Sequence, residues 1–403
     1  MDISDLDKAE DLYKKKFFCP FPFKYVYGEQ DGRWKLCSEA LPSGYSSDDM
    51  SIEEWFTSDY IDNIRREMLK DDPDLDMLSK SCKICVESEK NLGNSTRTNL
   101  LKLNSHKPGI QNANLFEQTD QYWFYNRPLV VQMRMFKNND ICNLGCYMCF
   151  PKFSTIRQQD LTKIPNQKLI EGFQDINKSS KVLQVSRIQE VIDVIEHIDV
   201  IELIGGEPLY VKECFDFVDR LTKEVDCSEI SLSIFTNLSI LHNKKKNFLE
   251  YRKYFKNIEF KVSMDGIGKY NEYIRRKSVF EDLESNVKQV LNNSDCDIFI
   301  WTTISMLSIL RFEEVESWCK KNGIHYEYNI LKDPKMLSIV NLPDPIKEDL
   351  IKRFSHIEDF VSALKSPRRE DLFQKAMKYI ISLDEIYNTN VFEVYPELEE
   401  FVS

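Results

Sequence analysis

Cys142-Asn143-Leu144-Gly145-Cys146-Tyr147-Met148-Cys149 sets three cysteines in eight residues, with three and then two residues between them. Thiolates at such spacing can wrap one face of a small metal centre. No fourth cysteine or histidine lies close behind. A closed zinc site takes four ligands, and a working site keeps one position open. Three local ligands on a four-iron cluster would leave one iron free for a substrate or cosubstrate. A structural zinc knuckle with one distant ligand is the plainer alternative.

Around this stretch, six strand candidates alternate with helical segments: 129–136, 200–204, 230–235, 258–263, 298–304 and 325–330. The helices between them include 187–198, 211–225, 279–291 and 312–322. Such alternation predicts a parallel α/β sheet with helices outside. Right-handed crossovers curve it into a barrel or part of one. In these architectures chemistry collects in loops at the C-terminal ends of strands. The first strand runs into the cysteine loop. The second ends in Gly205-Gly206-Glu207-Pro208, the third in Thr236-Asn237, the fourth in Ser263-Met264-Asp265-Gly266 and the fifth near Thr302-Thr303-Ile304-Ser305. Small and polar groups from five strands therefore converge on one mouth. Gly205 and Gly206 lack Cβ atoms and let backbone approach a ligand closely.

The three-cysteine spacing resembles that of the radical S-adenosylmethionine (radical SAM) enzymes, and the convergent loops agree with it. The resemblance implies a partial (β/α)6 TIM-like barrel and a 4Fe–4S cluster on Cys142, Cys146 and Cys149. It further implies S-adenosylmethionine bound to the free iron and cleaved to a 5′-deoxyadenosyl radical that abstracts hydrogen from substrate. The cofactors carry that chemistry; the protein orients and shields. Gly205-Gly206 would meet the aminoacyl ammonium, with Glu207 assisting or orienting the turn. Asn237, Ser263 and Asp265 suit ribose hydroxyls and the carboxylate. Arg275 would form a fork with that carboxylate. Two features depart from the family pattern. Met148 stands where an aromatic residue often meets the adenine, and the approach Lys137-Asn138-Asn139-Asp140-Ile141 is polar and without glycine. Neither removes a ligand.

Upstream, Phe18-Cys19-Pro20 leads into a strand over 23–27. Asp31-Gly32 is a hairpin turn, and 33–36 returns to Cys37. Ser51-Ile52-Glu53-Glu54 reads as a capping box, with Trp55, Ile61, Ile64 and Met68 on an apolar face over one or two short helices. Cys82-Lys83-Ile84-Cys85 opens a further short helix. Cys19, Cys37, Cys82 and Cys85 make four thiolates, which suit zinc and a 4Fe–4S cluster equally. The pattern resembles the "twitch" auxiliary-cluster module of radical enzymes, placed before the core, and so implies a second 4Fe–4S cluster on those four cysteines. Domains are expected at 1–92 (twitch module), 93–128 (linker or cover), 129–342 (barrel) and 343–403 (helical extension). In the extension Asp344 caps a helix with Pro345 at its first position, and a second helix spans 372–383. The apolar stripes of this tail dock it on the barrel or its open edge.

The chain has 403 residues and a net charge of −12. That acidity speaks against a nucleic-acid surface. No segment approaches a membrane span, and the acidic start lacks the apolar core of a secretory signal. The eleven cysteines are therefore expected reduced, in the cytoplasm. Cys214, Cys227, Cys296 and Cys319 read as buried structural thiols. Expected partners are S-adenosylmethionine, a reducing donor such as flavodoxin or ferredoxin, and a peptide or protein side chain as substrate. A sugar or nucleotide substrate is one alternative, and a non-catalytic iron–sulfur or zinc-binding protein another.

Overall fold

Residues along each central strand alternate between an apolar set and a polar set, and the two sets face opposite sides of one sheet. The computed structural model describes residues 15–29, 31–92, 95–98, 101, 130–134, 140–173, 187–243, 246–294 and 296–402. The strands are β1 (Tyr25–Gly28), β2 (Trp34–Lys35), β3 (Val130–Met133), β4 (Val200–Leu203), β5 (Ser231–Thr236), β6 (His242–Asn243), β7 (Lys246–Asn247), β8 (Asn257–Ser263), β9 (Cys296–Ile304) and β10 (His325–Ile330). Eight of them form one sheet in the order β10-β9-β8-β5-β4-β3-β1-β2, while β6 and β7 pair separately. The six strands from β3 to β10 in that sheet run parallel, as the alternation predicts. β3 and β10 do not pair, so the (β/α)6 barrel is partial.

The N-terminal hairpin is not a separate layer. β1 pairs in parallel with β3, Tyr25 opposite Val130 and Tyr27 opposite Gln132, while β2 returns antiparallel to β1. The hairpin thus covers the outer edge of β3 and carries the sheet two strands further. Its first strand starts later than the sequence suggests. Pro22 favours a helical turn over Phe21–Lys24, so extended structure begins only at Tyr25. Gly32 makes the turn at φ 91°, a conformation that glycine adopts freely.

Val131, Ile201, Leu203, Leu232, Ile234, Phe260 and Val262 belong to one continuous core shared with the helices, the N-terminal piece and the tail. The opposite, inner face carries Gln132, Glu202, Ser233, Glu259 and Lys261. Gln132, Glu202, Ser233 and Glu259 stand opposite one another in register. Buried polar groups persist only when partnered, and these are. Glu202 accepts from Gln132 Nε2 (2.8 Å), Tyr25 Oη (2.8 Å) and Lys261 Nζ. Glu259 accepts from Ser233 Oγ at 2.8 Å and pairs with Lys261 at 3.3 Å.

Helices follow their sequence signals with three differences. The capping box at Ser51 and Glu54 is present, and Trp55, Ile61, Ile64 and Met68 fall on two helices, Ile52–Phe56 and Asp59–Met68. Leu75–Leu92 is two helical segments that meet at a kink on Cys82, where the backbone is non-helical, so Cys82–Cys85 opens the second of them as expected. The expected helix over 187–198 divides into Ile188–Ile192 and a 3-10 turn. The first tail helix is Asp344–Arg353, capped by Pro343 rather than Asp344 and followed by a separate helix, Glu358–Lys365. The last long helix, Glu370–Tyr387, extends beyond the expected 372–383. Cys214, Cys227 and Cys319 are buried, but Cys296 is half-exposed at the start of β9. Apart from 95–98 and 101, the expected linker or cover over 93–128, with its aromatic run Tyr122-Trp123-Phe124-Tyr125 and the turn sequence His106-Lys107-Pro108-Gly109, lies outside the described residues. Among the described residues no helix is long and apolar enough to cross a membrane.

Candidate functional site

The cysteine loop follows β3 and is fixed by its own backbone. Gly145 N donates to Arg276 O (2.9 Å) and Tyr147 N to Ile274 O (3.1 Å), so the segment after β8 holds the loop from one side. Ser154 Oγ donates to Leu144 O (3.0 Å), and Ser154 also caps the helix Thr155–Lys163. Glu207 N donates to Ile141 O at 2.9 Å, which ties the end of β4 to the loop. A Cβ on Gly206 would fall far inside van der Waals contact with the Ile141 carbonyl. Gly206 is therefore small so that the two loops can meet. Gly205 beside it is half-exposed.

Glu207 is buried and organises the same corner. Its Oε1 accepts from Thr236 Oγ1 (2.6 Å) and Leu209 N (3.1 Å), and its Oε2 from Asn237 N (2.6 Å). Burial pushes its carboxyl up to about 7, against the pull of those donors and of Arg275. These three bonds hold the turn after β4 to the start of the β5 loop. Asn237 Nδ2 donates to Asn143 Oδ1 at 3.0 Å and lies 3.9 Å from Cys142 Sγ. Ser239 completes the cluster, accepting from Asn143 Nδ2 (2.7 Å) and donating to Asn237 Oδ1 (2.6 Å).

Arg275 and Asp265, each expected at the cosubstrate, pair with each other. Arg275 Nη2 pairs with Asp265 Oδ2 at 2.8 Å, and Nη1 lies 3.8 Å from Cys146 Sγ. Asp265 Oδ1 also accepts from Thr303 N (2.8 Å). Each thus has a partner within the chain, because a fully buried carboxylate needs a cation. Arg275 Nε is buried without a hydrogen-bond partner among the described residues. Met148 is buried in the loop, and Ser263 ends β8 half-exposed on the inner face.

The three loop cysteines are unpaired thiols in electrostatic reach of one another. Burial raises all three; Cys146 is pushed up to about 12, opposed by Arg275. Cys149 is raised by burial and pulled back by Arg157, Arg275 and Arg134. Buried thiols that would repel one another as thiolates are the donor set a bound cationic centre stabilises. Among the described residues no three His, Cys, Asp or Glu side chains close around a single ion; a four-iron cluster spans more than one ion does. The donors and the neighbouring cations fit such a cluster.

The four N-terminal cysteines line one small cavity. Cys19, Cys37, Cys82 and Cys85 surround it together with Phe17, Phe21 and Arg97. Cys19 is raised well above its ordinary value by burial, then by Cys37 and Cys82, and Cys37 is pushed up to about 12 by burial and Cys85. Arg97 is buried and bridges 95–98 to the helix below, with a two-pronged pair to Glu89 (2.8 and 2.5 Å) and a bond to Phe18 O (2.8 Å). Part of the expected cover therefore packs on the four-cysteine cavity.

Several residues at the site escaped the sequence reading. Arg157, Arg276, Tyr379 and Asp384 hold the cysteine loop or its support. Asp384 accepts from Tyr273 Oη (2.8 Å), Arg276 Nη2 (3.0 Å), Thr389 Oγ1 (2.5 Å) and Val391 N (2.7 Å). The tail docks behind the cysteine loop. Tyr379, Asp384 and Tyr387, polar tips on or beside the buried face of an amphipathic helix, are the signal that was available.

The family model described as the Radical SAM superfamily matches residues 139–320. No curated protein matches the chain. Among solved structures, native anSMEcpe with bound AdoMet is 15% identical, with a TM-score of 0.35; the overlap covers 60% of this chain and 65% of that one. Streptococcus suis SuiB bound to S-adenosylmethionine is 14% identical at a TM-score of 0.32, over 57% of this chain and 43% of that one. The same protein bound to precursor peptide SuiA is 13% identical at 0.36, over 79% and 65%. The chain thus spans less than two thirds of each. The stretch that matches the Radical SAM superfamily model, residues 139–320, is the one that holds the cysteine loop and the ends of β4, β5, β8 and β9.

Proposed function

We propose that the chain binds a 4Fe–4S cluster through Cys142, Cys146 and Cys149 and uses S-adenosylmethionine to abstract a hydrogen atom from substrate. Bound there, the cluster and cosubstrate would supply a 5′-deoxyadenosyl radical. The chain's own residues orient and enclose. Arg275 and Asp265 form a neutralised pair at the cluster edge. Glu207 and Asn237 lock the β4 and β5 loops to the cysteine loop. Gly205, Met148 and Ser263 would border the nucleoside. The observation that carries this reading is the convergence of three unpaired, desolvated cysteines with the ends of β4, β5 and β8.

The four-cysteine cavity is proposed to hold a second 4Fe–4S cluster, in the manner of a twitch module. Four donors would close that site, leaving electron transfer or structure as its role. The proposed substrate is a peptide or protein side chain. The more open part of the inner face supports this, with Phe299, Trp301 and Asn329 offering flat apolar surface and an amide. Anaerobic reconstitution should give about eight irons per chain from two four-iron sites and, after reduction, 5′-deoxyadenosine. Serine at Cys146 should abolish cleavage. Cleavage that survives that change, or zinc without iron and sulfide, rejects the proposal.

A further inference from the structure

Arg157 lies outside the established motif yet is the most enclosed cation at the site. Its side chain is fully buried. Nη2 donates to Tyr147 O at 3.3 Å and to Tyr379 Oη, and Nε donates to Cys149 O at 3.4 Å. Tyr379, from the helix Glu370–Tyr387, in turn donates to Tyr147 O at 2.5 Å. One guanidinium therefore forks onto two backbone carbonyls of the cysteine loop, and a tyrosine from the tail holds both fork and loop. The partial counter-charge is Asp160, whose Oδ2 lies 3.8 Å from Nη1 and is also taken by Tyr387 Oη at 2.5 Å. Nη1 has no hydrogen-bond partner among the described residues. The other charges facing the loop, Arg275 with Asp265 and Arg134 with Glu29, are paired.

We propose that Arg157, locked by Tyr379, is a positioning residue that sets how readily a cluster on Cys142, Cys146 and Cys149 accepts an electron. The inference rests on the ligand assignment above. Adding one electron to a thiolate-bound cluster adds negative charge in a dry site. A cation held close by favours that state, and low dielectric magnifies the effect. The fork also fixes the loop that presents two of the sulfurs. The electron comes from an external low-potential reductant, and no bond in the chain is made or broken.

The test is a redox titration of the reconstituted full chain, followed by electron paramagnetic resonance of the signal that Cys146→Ser removes. Arg157→Gln should disfavour reduction at least tenfold, 59 mV for one electron. Arg157→Lys keeps the charge and should stay within about threefold of wild type, with altered g-values because the fork is lost. Asp160→Asn removes the counter-charge and should shift the midpoint the opposite way, so the inference stays testable if Arg157→Gln loses its cluster. Titration of Asp160→Asn and of any cluster-bearing Arg157→Gln together with wild type overturns the inference. A wild-type protein with no signal sensitive to Cys146→Ser overturns the ligand assignment itself, and the inference with it.

Discussion

Gly206 sits against the Ile141 carbonyl with no space for a side chain between them. The end of β4 and the entry to the cysteine loop are thus joined backbone to backbone, with Glu207 N bonded to the same carbonyl. Gly206→Ala must push them apart, because backbone cannot rotate away. The expected cost is about 1–3 kcal/mol, with a larger proportional loss in S-adenosylmethionine cleavage than in stability. Urea denaturation and 5′-deoxyadenosine yield measure the two. Unchanged values in both would mean the loops can separate freely.

Glu207 predicts a pH dependence. Its folded carboxyl, pushed by burial from 4.5 to about 7, holds its proton where the unfolded chain has lost it. The native state then binds more protons between those values, so this group's stabilisation is present below about 4.5 and is lost as pH rises through about 7. The full swing is on the order of 3 kcal/mol. In iron-free protein, wild type should therefore lose stability relative to Glu207→Gln across that window. A difference that stays flat from pH 5 to 8 contradicts the shift.

Asp384 takes four donors, one of them the buried Arg276 guanidinium. Asp384→Ala leaves that cation without its partner and should destabilise by about 3–5 kcal/mol. Because Arg276 O holds Gly145 N, iron retention at the three-cysteine site should fall as well. Chemical denaturation and iron analysis check this, and full iron retention would separate the tail from the site.

The four-cysteine cavity is tested by Cys37→Ser. About half of the iron should be lost, while the signal removed by Cys146→Ser persists. Chelation that strips this site should expose the region around Leu75–Leu92 to protease first, because the thiols around the cavity lose their common centre. Loss of all iron from Cys37→Ser would instead mean that the sites are not independent.

Much of this was legible in the sequence. The parallel strands declare themselves because short strand-forming segments are separated by long helical stretches, and β10 matches its expected bounds. The mouth was legible because small and polar residues end five of those runs. The attachment of the hairpin was not: pairing between β1 and β3 joins residues far apart in the chain, and neither strand carries a mark of its partner. The pairing of Arg275 with Asp265 was hidden for a related reason: each has the chemistry to bind a ligand, and only proximity reveals that each has a partner in the other. Tyr379 and Asp384 were hidden because a helix with an apolar stripe reads as packing, whatever its polar tips reach.

The hairpin lying along β3 makes the two cysteine-bearing parts inseparable in practice. Excising residues 1–92 would strip a row of amides and carbonyls bare along β3 and remove Tyr25 from Glu202. The remaining barrel would offer that naked strand to any neighbour, including another copy of itself. An engineered half-protein should therefore clump rather than work more simply, and any graft of the barrel must bring its N-terminal selvage with it.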